Sequence, residues 1–226
     1  RCFCEGENVC AGAFQFGELI DTTTGGAVGT DLSERDQQAW AADIYANYAW
    51  VDAPWSPNTG FGWTFYSGEE TSSEFGVTGA GNSDQNDEFN AWQPIYRGKF
   101  TTYIQDFLGG QDAPAGIYTT FDRNDTASTT NRHLLYFDVG ASPMEDVNIW
   151  ARYTRAYFDE NPRPGRDSHA GDELDVKATY DYTEDVSLAL FGAWFLPGDY
   201  YDGETVSSSR SSDMAWTAGG SASIDF

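Results

Sequence analysis

Residues 171–200, GDELDVKATYDYTEDVSLALFGAWFLPGDY, alternate apolar and polar side chains through two runs that meet at one tight turn. Side chains of an extended chain point to opposite faces in turn. Leu174, Val176, Ala178, Tyr180 and Tyr182 therefore share one side, and Asp175, Lys177, Thr179 and Asp181 share the other. Beyond Thr183-Glu184-Asp185, Val186, Leu188, Leu190, Trp194 and Leu196 lie together, with Ser187, Ala189 and Ala193 opposite. The pattern predicts a β-hairpin with one apolar and one mostly polar face. A soluble sandwich and a membrane barrel both produce it.

The rest of the chain repeats the theme with hardly any helical periodicity. Candidate strands fall near 10–20, 39–51, 60–68, 131–140, 146–158, 172–182, 186–196 and 213–226. In the second of these, Trp40, Ala42, Ile44, Ala46, Tyr48 and Trp50 alternate with Asp43, Tyr45 and Asn47, which loads aromatic residues at both ends of an apolar face. Strands that cross a bilayer carry aromatic residues at its two interfaces. The connections at 52–59, 141–145 and 183–185 are short, whereas 21–38, 69–130, 159–171 and 197–212 are long and rich in Gly, Ser, Asp and Glu. Strict alternation of short and long connections is the habit of an up-and-down barrel of the outer-membrane kind.

Charge and hydropathy narrow the partners. Thirty-six Asp and Glu against twelve Lys and Arg give a formal net charge of −24, which argues against nucleic acid and against docking on an anionic surface. Aromatic residues make up 16% of the chain, yet the mean hydropathy is −0.53. No run of about 18 apolar residues occurs, which excludes a transmembrane helix but not a barrel. The 226 residues are enough for one all-β domain, 1–226, with a sizeable core. No signal peptide is recognisable, so the chain reads as mature, trimmed or a fragment. The last run places Trp216, Ala218, Gly220, Ala222, Ile224 and Phe226 in register, and a terminal Phe after such an alternation is the signal by which outer-membrane barrels are handed to their insertion machinery.

Three stretches, PWSPNTGFGWTFYSGEE (54–70), FNAWQPIYRGK (89–99) and GDELDVKATYDYTEDVSLALFGAWFLPGD (171–199), together with FQFGEL (14–19), resemble in order motifs of the alginate-export type outer-membrane porins. The resemblance implies a transmembrane up-and-down antiparallel β-barrel, of which this chain would supply about 8–10 strands. Barrels of that family are larger, so the chain would be the C-terminal part of a porin, a reduced relative closing alone, or one of several chains completing a barrel. An eight-stranded barrel is filled by its own side chains, and only a larger one holds an aqueous channel.

By parity the candidate pore-lining residues are Asp43, Asn47, Asp138, Arg152, Thr154, Asp175, Lys177, Thr179, Asp181 and Asp225. An anionic polysaccharide needs cationic groups in a narrow lumen, and this set leans acidic, so cations or neutral small solutes fit better than alginate. The segment 69–130 is long for a loop; it reads either as a constriction loop carrying Arg97 and Lys99 or as a further hairpin near 100–108 and 115–121.

These features together predict a porin in the outer membrane of a Gram-negative bacterium. It would contact lipid, lipopolysaccharide and insertion machinery, with Phe226 as the assembly signal, and pass small solutes or a polysaccharide. The competing class is a non-conducting outer-membrane barrel acting in adhesion or structure through acidic loops. Enzymatic chemistry is not expected. Of the two histidines, His169 follows Ser168 directly, and adjacent residues rarely aim a hydroxyl and its base at one atom; His133 lies at a strand end. Cys2, Cys4 and Cys10 lack a fourth zinc ligand, which leaves a disulfide or plain packing with one thiol over. No cofactor is expected, although the acidic runs 83–88 and 121–125 could take Ca²⁺ if they are more than solvated loops.

Overall fold

The computed structural model describes residues 9–20, 34–68, 88–90, 92, 102–105, 131–160, 167–201 and 213–224. It is all-β. The strands are β1 (Val9–Ile20), β2 (Glu34–Ala49), β3 (Asn58–Tyr66), β4 (Glu88–Phe89), β5 (Arg132–Met144), β6 (Val147–Tyr157), β7 (His169–Thr183), β8 (Val186–Pro197) and β9 (Ala215–Ile224). Each of the eight alternating runs in the sequence becomes a strand. They pair antiparallel with their neighbours in the order β1-β2-β3-β5-β6-β7-β8-β9, while the two-residue β4 adds in parallel to β2.

Alternation and register together sort the side chains. Ala46, Phe61, Phe137, Tyr153, Leu174, Trp194 and Trp216 form one cross-strand row on the apolar face. One pleat away on the polar face, Asn47, Gly60, Asp138, Arg152, Asp175, Ala193 and Thr217 form another. The polar face is the covered one. Thr102–Gln105 and Tyr200–Tyr201 pack over it, and the buried apolar residues gather beneath them in two small clusters. Leu134, Ala156, Phe158, Ala170 and Tyr200 make one; Ile104, Ala193 and Phe195 make the other, and Tyr201 packs against both.

The sheet is open, and this corrects the predicted barrel. β1 and β9 stand at opposite ends of the strand order, and no pairing joins them among the described residues. An open edge leaves a row of backbone N–H and C=O groups unpaired, which hydrocarbon cannot satisfy; only closed barrels and helices cross a bilayer. The porin channel therefore falls with the closure, as does the alternative of a non-conducting membrane barrel. So do the outer-membrane location, the contacts with lipid and lipopolysaccharide, delivery by insertion machinery, and the lumen through which small solutes or a polysaccharide would pass. Strand alternation reports two unlike faces but is blind to whether the first strand meets the last. Phe226 and Asp225 lie outside the described residues, as do the constriction residues Arg97 and Lys99 and the 115–121 half of the alternative hairpin. At 102–105 the chain forms bends rather than a strand.

Candidate functional site

The polar face carries its charge in the middle strands. Arg152 on β6 and Asp138 on β5 are paired in register. The guanidinium donates from Nε to Asp138 Oδ1 at 2.5 Å and from Nη2 to Oδ2 at 2.8 Å, with Arg152 7% and Asp138 2% exposed. Two-point Arg–carboxylate pairing is the geometry that recovers most of the cost of burying both ions. Burial works against the Arg152 charge, but the hydrogen bonds and charge of Asp138 outweigh it and hold the group above its ordinary value.

Two glycines make room for the groups that pack on this ion pair. Gly60 and Gly62 lie on the polar face of β3, where an added Cβ would collide with the rings of Tyr45 and Tyr136 respectively. The two rings stack with centroids 5.9 Å apart, and the Arg152 guanidinium sits over Tyr136 at 4.4 Å and over Trp150 at 5.1 Å. A cation held against ring faces away from water gains more than an exposed one. Burial, followed by the nearby Asp43, pushes the Tyr136 phenol up to about 12. Tyr45 is raised as well, chiefly by burial.

Further along the sheet two more carboxyls are buried. Glu173 and Asp175 stand two residues apart on β7 and are both fully inaccessible. Glu173 accepts from the backbone N–H of Ile104 at 2.5 Å and from that of Gln105 at 2.9 Å, so one side chain fastens the 102–105 segment to the sheet. Neither oxygen of Asp175 meets a hydrogen bond of good geometry, and the buried Thr154 hydroxyl, opposite Glu173 in register, also has none. The polar neighbours of Asp175 are the Glu173 carboxyl, the Tyr103 backbone amide and the Arg152 guanidinium. Desolvation first, and the Glu173 charge second, push the Asp175 carboxyl up to about 9.

All nine described residues predicted to line a lumen share this face. Asp43 accepts from the Thr64 hydroxyl at 2.8 Å, and Asn47 donates to the Tyr45 hydroxyl at 3.3 Å. Asp138, Arg152, Thr154 and Asp175 form the buried group. Lys177 and Thr179 are half-buried farther toward the short turns, and Asp181 is exposed there. The face they share is not a lumen, because the sheet does not close. Residue parity missed Glu173, although its position two before Asp175 places it with the same set. It also missed Tyr45 and Tyr136, because aromatic residues on a polar face read as errors in the pattern, and Tyr103, which belongs to the covering segment rather than to a strand.

The histidines are apart from this group. His133 Nε2 lies 2.9 Å from Asp159 Oδ1, with its ring stacked on Phe65 at 4.7 Å, and His169 Nε2 lies 3.2 Å from Asp172 Oδ2. Ser168 accepts a backbone bond from Phe158. Cys10 is a free, exposed thiol on β1, and Cys2 and Cys4 lie outside the described residues. Among the described residues no group of three or more His, Cys, Asp or Glu is placed to hold a metal, and of the acidic runs 83–88 and 121–125 all but Glu88 lie outside them.

No family model and no curated protein sequence matches the chain. The resemblance of 54–70, 89–99 and 171–199 to alginate-export type porins is corrected accordingly. In their described residues those stretches hold β3, Phe89 of β4 and the β7–β8 hairpin. Their alternation and turn residues belong to antiparallel sheets in general, whichever family they come from.

Proposed function

We propose that this chain is a non-catalytic assembly module that pairs with a second copy of itself through its apolar sheet face. The observation that carries the reading is the absence of charge across four successive rows of that face, which give way only at the adjoining Trp63–Leu135–Arg155–Asp172–Leu196 row to one exposed ion pair. Beside the Phe61–Phe137–Tyr153–Leu174–Trp194–Trp216 row runs Thr59–Val139–Ala151–Val176–Gly192–Ala218, then Ile149–Ala178–Leu190–Gly220, then Val147–Tyr180–Leu188–Ala222. None holds an ionisable group other than tyrosine, in a chain with thirty-six acids. Yet Phe61, Phe137, Leu174, Leu190 and Trp216 are between 41% and 71% exposed.

Seven strands spaced ~4.8 Å apart, with about six residues of each at ~3.4 Å per residue, make this apolar face on the order of 700 Å². Monomers rarely expose contiguous apolar patches beyond a few hundred Å², and a stable interface takes about 800 Å² from each partner. A second copy presents an identical face of the same size and neutrality, and isologous two-fold pairing is the commonest closed assembly. Two such faces pack at ~10 Å separation with their side chains interdigitated. Partners recognised by charge gain nothing on these four uncharged rows.

The test is sedimentation of the chain over a range of concentrations, with Leu174→Arg/Leu190→Arg as the disrupted control. A dimer for the parent and a monomer for the variant support the reading. A parent chain that stays monomeric at every concentration overturns it.

A further inference from the structure

We propose that Glu173 and Asp175 form a buried proton-binding site, in which one shared proton lets the pair clamp Thr102–Gln105 onto the polar face and whose loss to solvent releases that segment. The argument is one of geometry and charge balance, independent of the dimer reading. Both carboxyls are fully buried on the same face of β7. Glu173 has to be an acceptor, since both of its oxygens receive backbone N–H groups from Ile104 and Gln105. No hydrogen bond of good geometry reaches either oxygen of Asp175, and the one donor close by is the Tyr103 backbone amide. A buried carboxylate without well-placed donors is costly, whereas a carboxylic acid can donate its own O–H to the neighbouring carboxylate.

The groups facing Asp175 supply no substitute for that proton. On β6 the opposing residue is Arg152, whose guanidinium is engaged at two points by Asp138. On β7 itself the same-face neighbours are Glu173 and, on the other side, Lys177, which is half-buried toward the short turns. On β8 the opposing residue is the uncharged Ala193. From the covering segment comes Tyr103, whose ring stacks on Phe191 at 4.8 Å and whose phenol is raised by burial first and by Asp175 second. Asp138, Glu173 and Asp175 thus stand as three carboxyls near the Arg152 guanidinium, while the other buried guanidinium of this face, Arg132, lies six residues before Asp138 on β5. One proton leaves the group with a net charge of −1 instead of −2. Two carboxyls sharing a proton because both cannot ionise is the general behaviour of such pairs.

The coupling to the segment follows from what covers the pair. Ile104 packs with Ala193 and Phe195, and Thr102, Ile104 and Gln105 are buried. Lifting the segment admits water, Asp175 ionises, and its proton passes to solvent while the O–H bond breaks and the electron pair stays on the carboxylate. Docking is tightest below the ordinary carboxyl value of 3.8. It weakens as pH rises from there, and is weakest above about 9, where Asp175 is ionised even when covered. Within that window the docking equilibrium changes by about tenfold per pH unit, one proton being released on opening.

Infrared spectroscopy of the full chain at neutral pH, combined with amide hydrogen exchange at Ile104 and Gln105, tests this. The parent should show a protonated carboxyl C=O band at pH 7 that Asp175→Asn removes. Its Ile104 and Gln105 amides should lose protection with pH faster than intrinsic exchange accelerates, and Asp175→Asn should abolish that excess. A parent with no such band at pH 7, a band that Asp175→Asn leaves in place, or protection that tracks intrinsic exchange alone would overturn the proposal. The parent measurements decide the matter even if the variant does not fold.

Discussion

The two faces of this sheet bury opposite kinds of residue from those a soluble sheet buries. On the polar face Asp138, Arg152, Glu173 and Asp175 are almost inaccessible, while on the apolar face Trp216, Leu190 and Phe61 are more than half exposed. A lone sheet in water hides its apolar side and leaves its polar side wet. The inversion shows which side the described covering segments reach. Among the described residues, Thr102–Gln105, Phe158 and Tyr200–Tyr201 cover the polar side, and what they bury there is a small apolar patch beside an ion pair. The described residues gather Asp138, Arg152, Glu173 and Asp175 under cover and leave most of the large apolar side chains of the other face exposed.

The sharpest way to break the contrast is to unbalance the polar face. Arg152→Ala leaves Asp138 buried without its partner, and denaturant titration should show a loss of ~3–5 kcal/mol, the usual cost of orphaning half of a buried pair. The double replacement Asp138→Leu/Arg152→Met removes both charges, and should restore most of that loss. A double variant as unstable as the single one would show that the pair does more than balance itself.

The next effect belongs to the apolar face. A central, well-packed interface residue typically contributes ~2 kcal/mol or more to association. Leu174→Arg/Leu190→Arg should therefore weaken dimerisation at least thirtyfold in sedimentation, while leaving the monomer's backbone circular dichroism unchanged.

A smaller loss, about 1–3 kcal/mol, is expected for Glu173→Ala, because the Ile104 and Gln105 amides lose their buried acceptor. It should appear as faster hydrogen exchange confined to 102–105, with protection in β5 and β6 retained. Gly62→Ala tests the same face from β3: its Cβ would occupy the space of the Tyr136 ring. Thermal melting should show destabilisation of ~1–3 kcal/mol from the forced repacking. The smallest effect is at Arg155, whose side chain is 44% exposed and lies 3.8 Å from Asp172. Arg155→Ala should change stability by less than ~1 kcal/mol, as exposed pairs do. A large loss there would erase the distinction drawn between the two arginines.

Much of this fold is legible in the residues. The 171–200 alternation sets β7 and β8 to within a few residues, and the Thr183-Glu184-Asp185 turn between them is read directly. Face assignment is legible as well, since parity alone puts Asp138, Arg152 and Asp175 together. Closure is not legible, because a strand's sequence records its two faces and not whether an edge finds a partner. Burial was inverted for a related reason. Whether a polar face is wet depends on what lies over it, and Thr102–Gln105 comes from a long connection docked by partners distant in sequence, the Glu173 carboxyl and the Ala193 and Phe195 side chains, rather than by any local pattern. The Asp175 protonation state is a further step removed, since it depends on Arg152 being already held by Asp138.

The most direct measurement of the central claim is the mass of the chain in solution by sedimentation equilibrium, with and without Leu174→Arg/Leu190→Arg. The account predicts twice the 24.9 kDa chain mass for the parent and the single-chain mass for the variant. A parent that sediments as a single chain at all concentrations, with its apolar face still exposed, would contradict it.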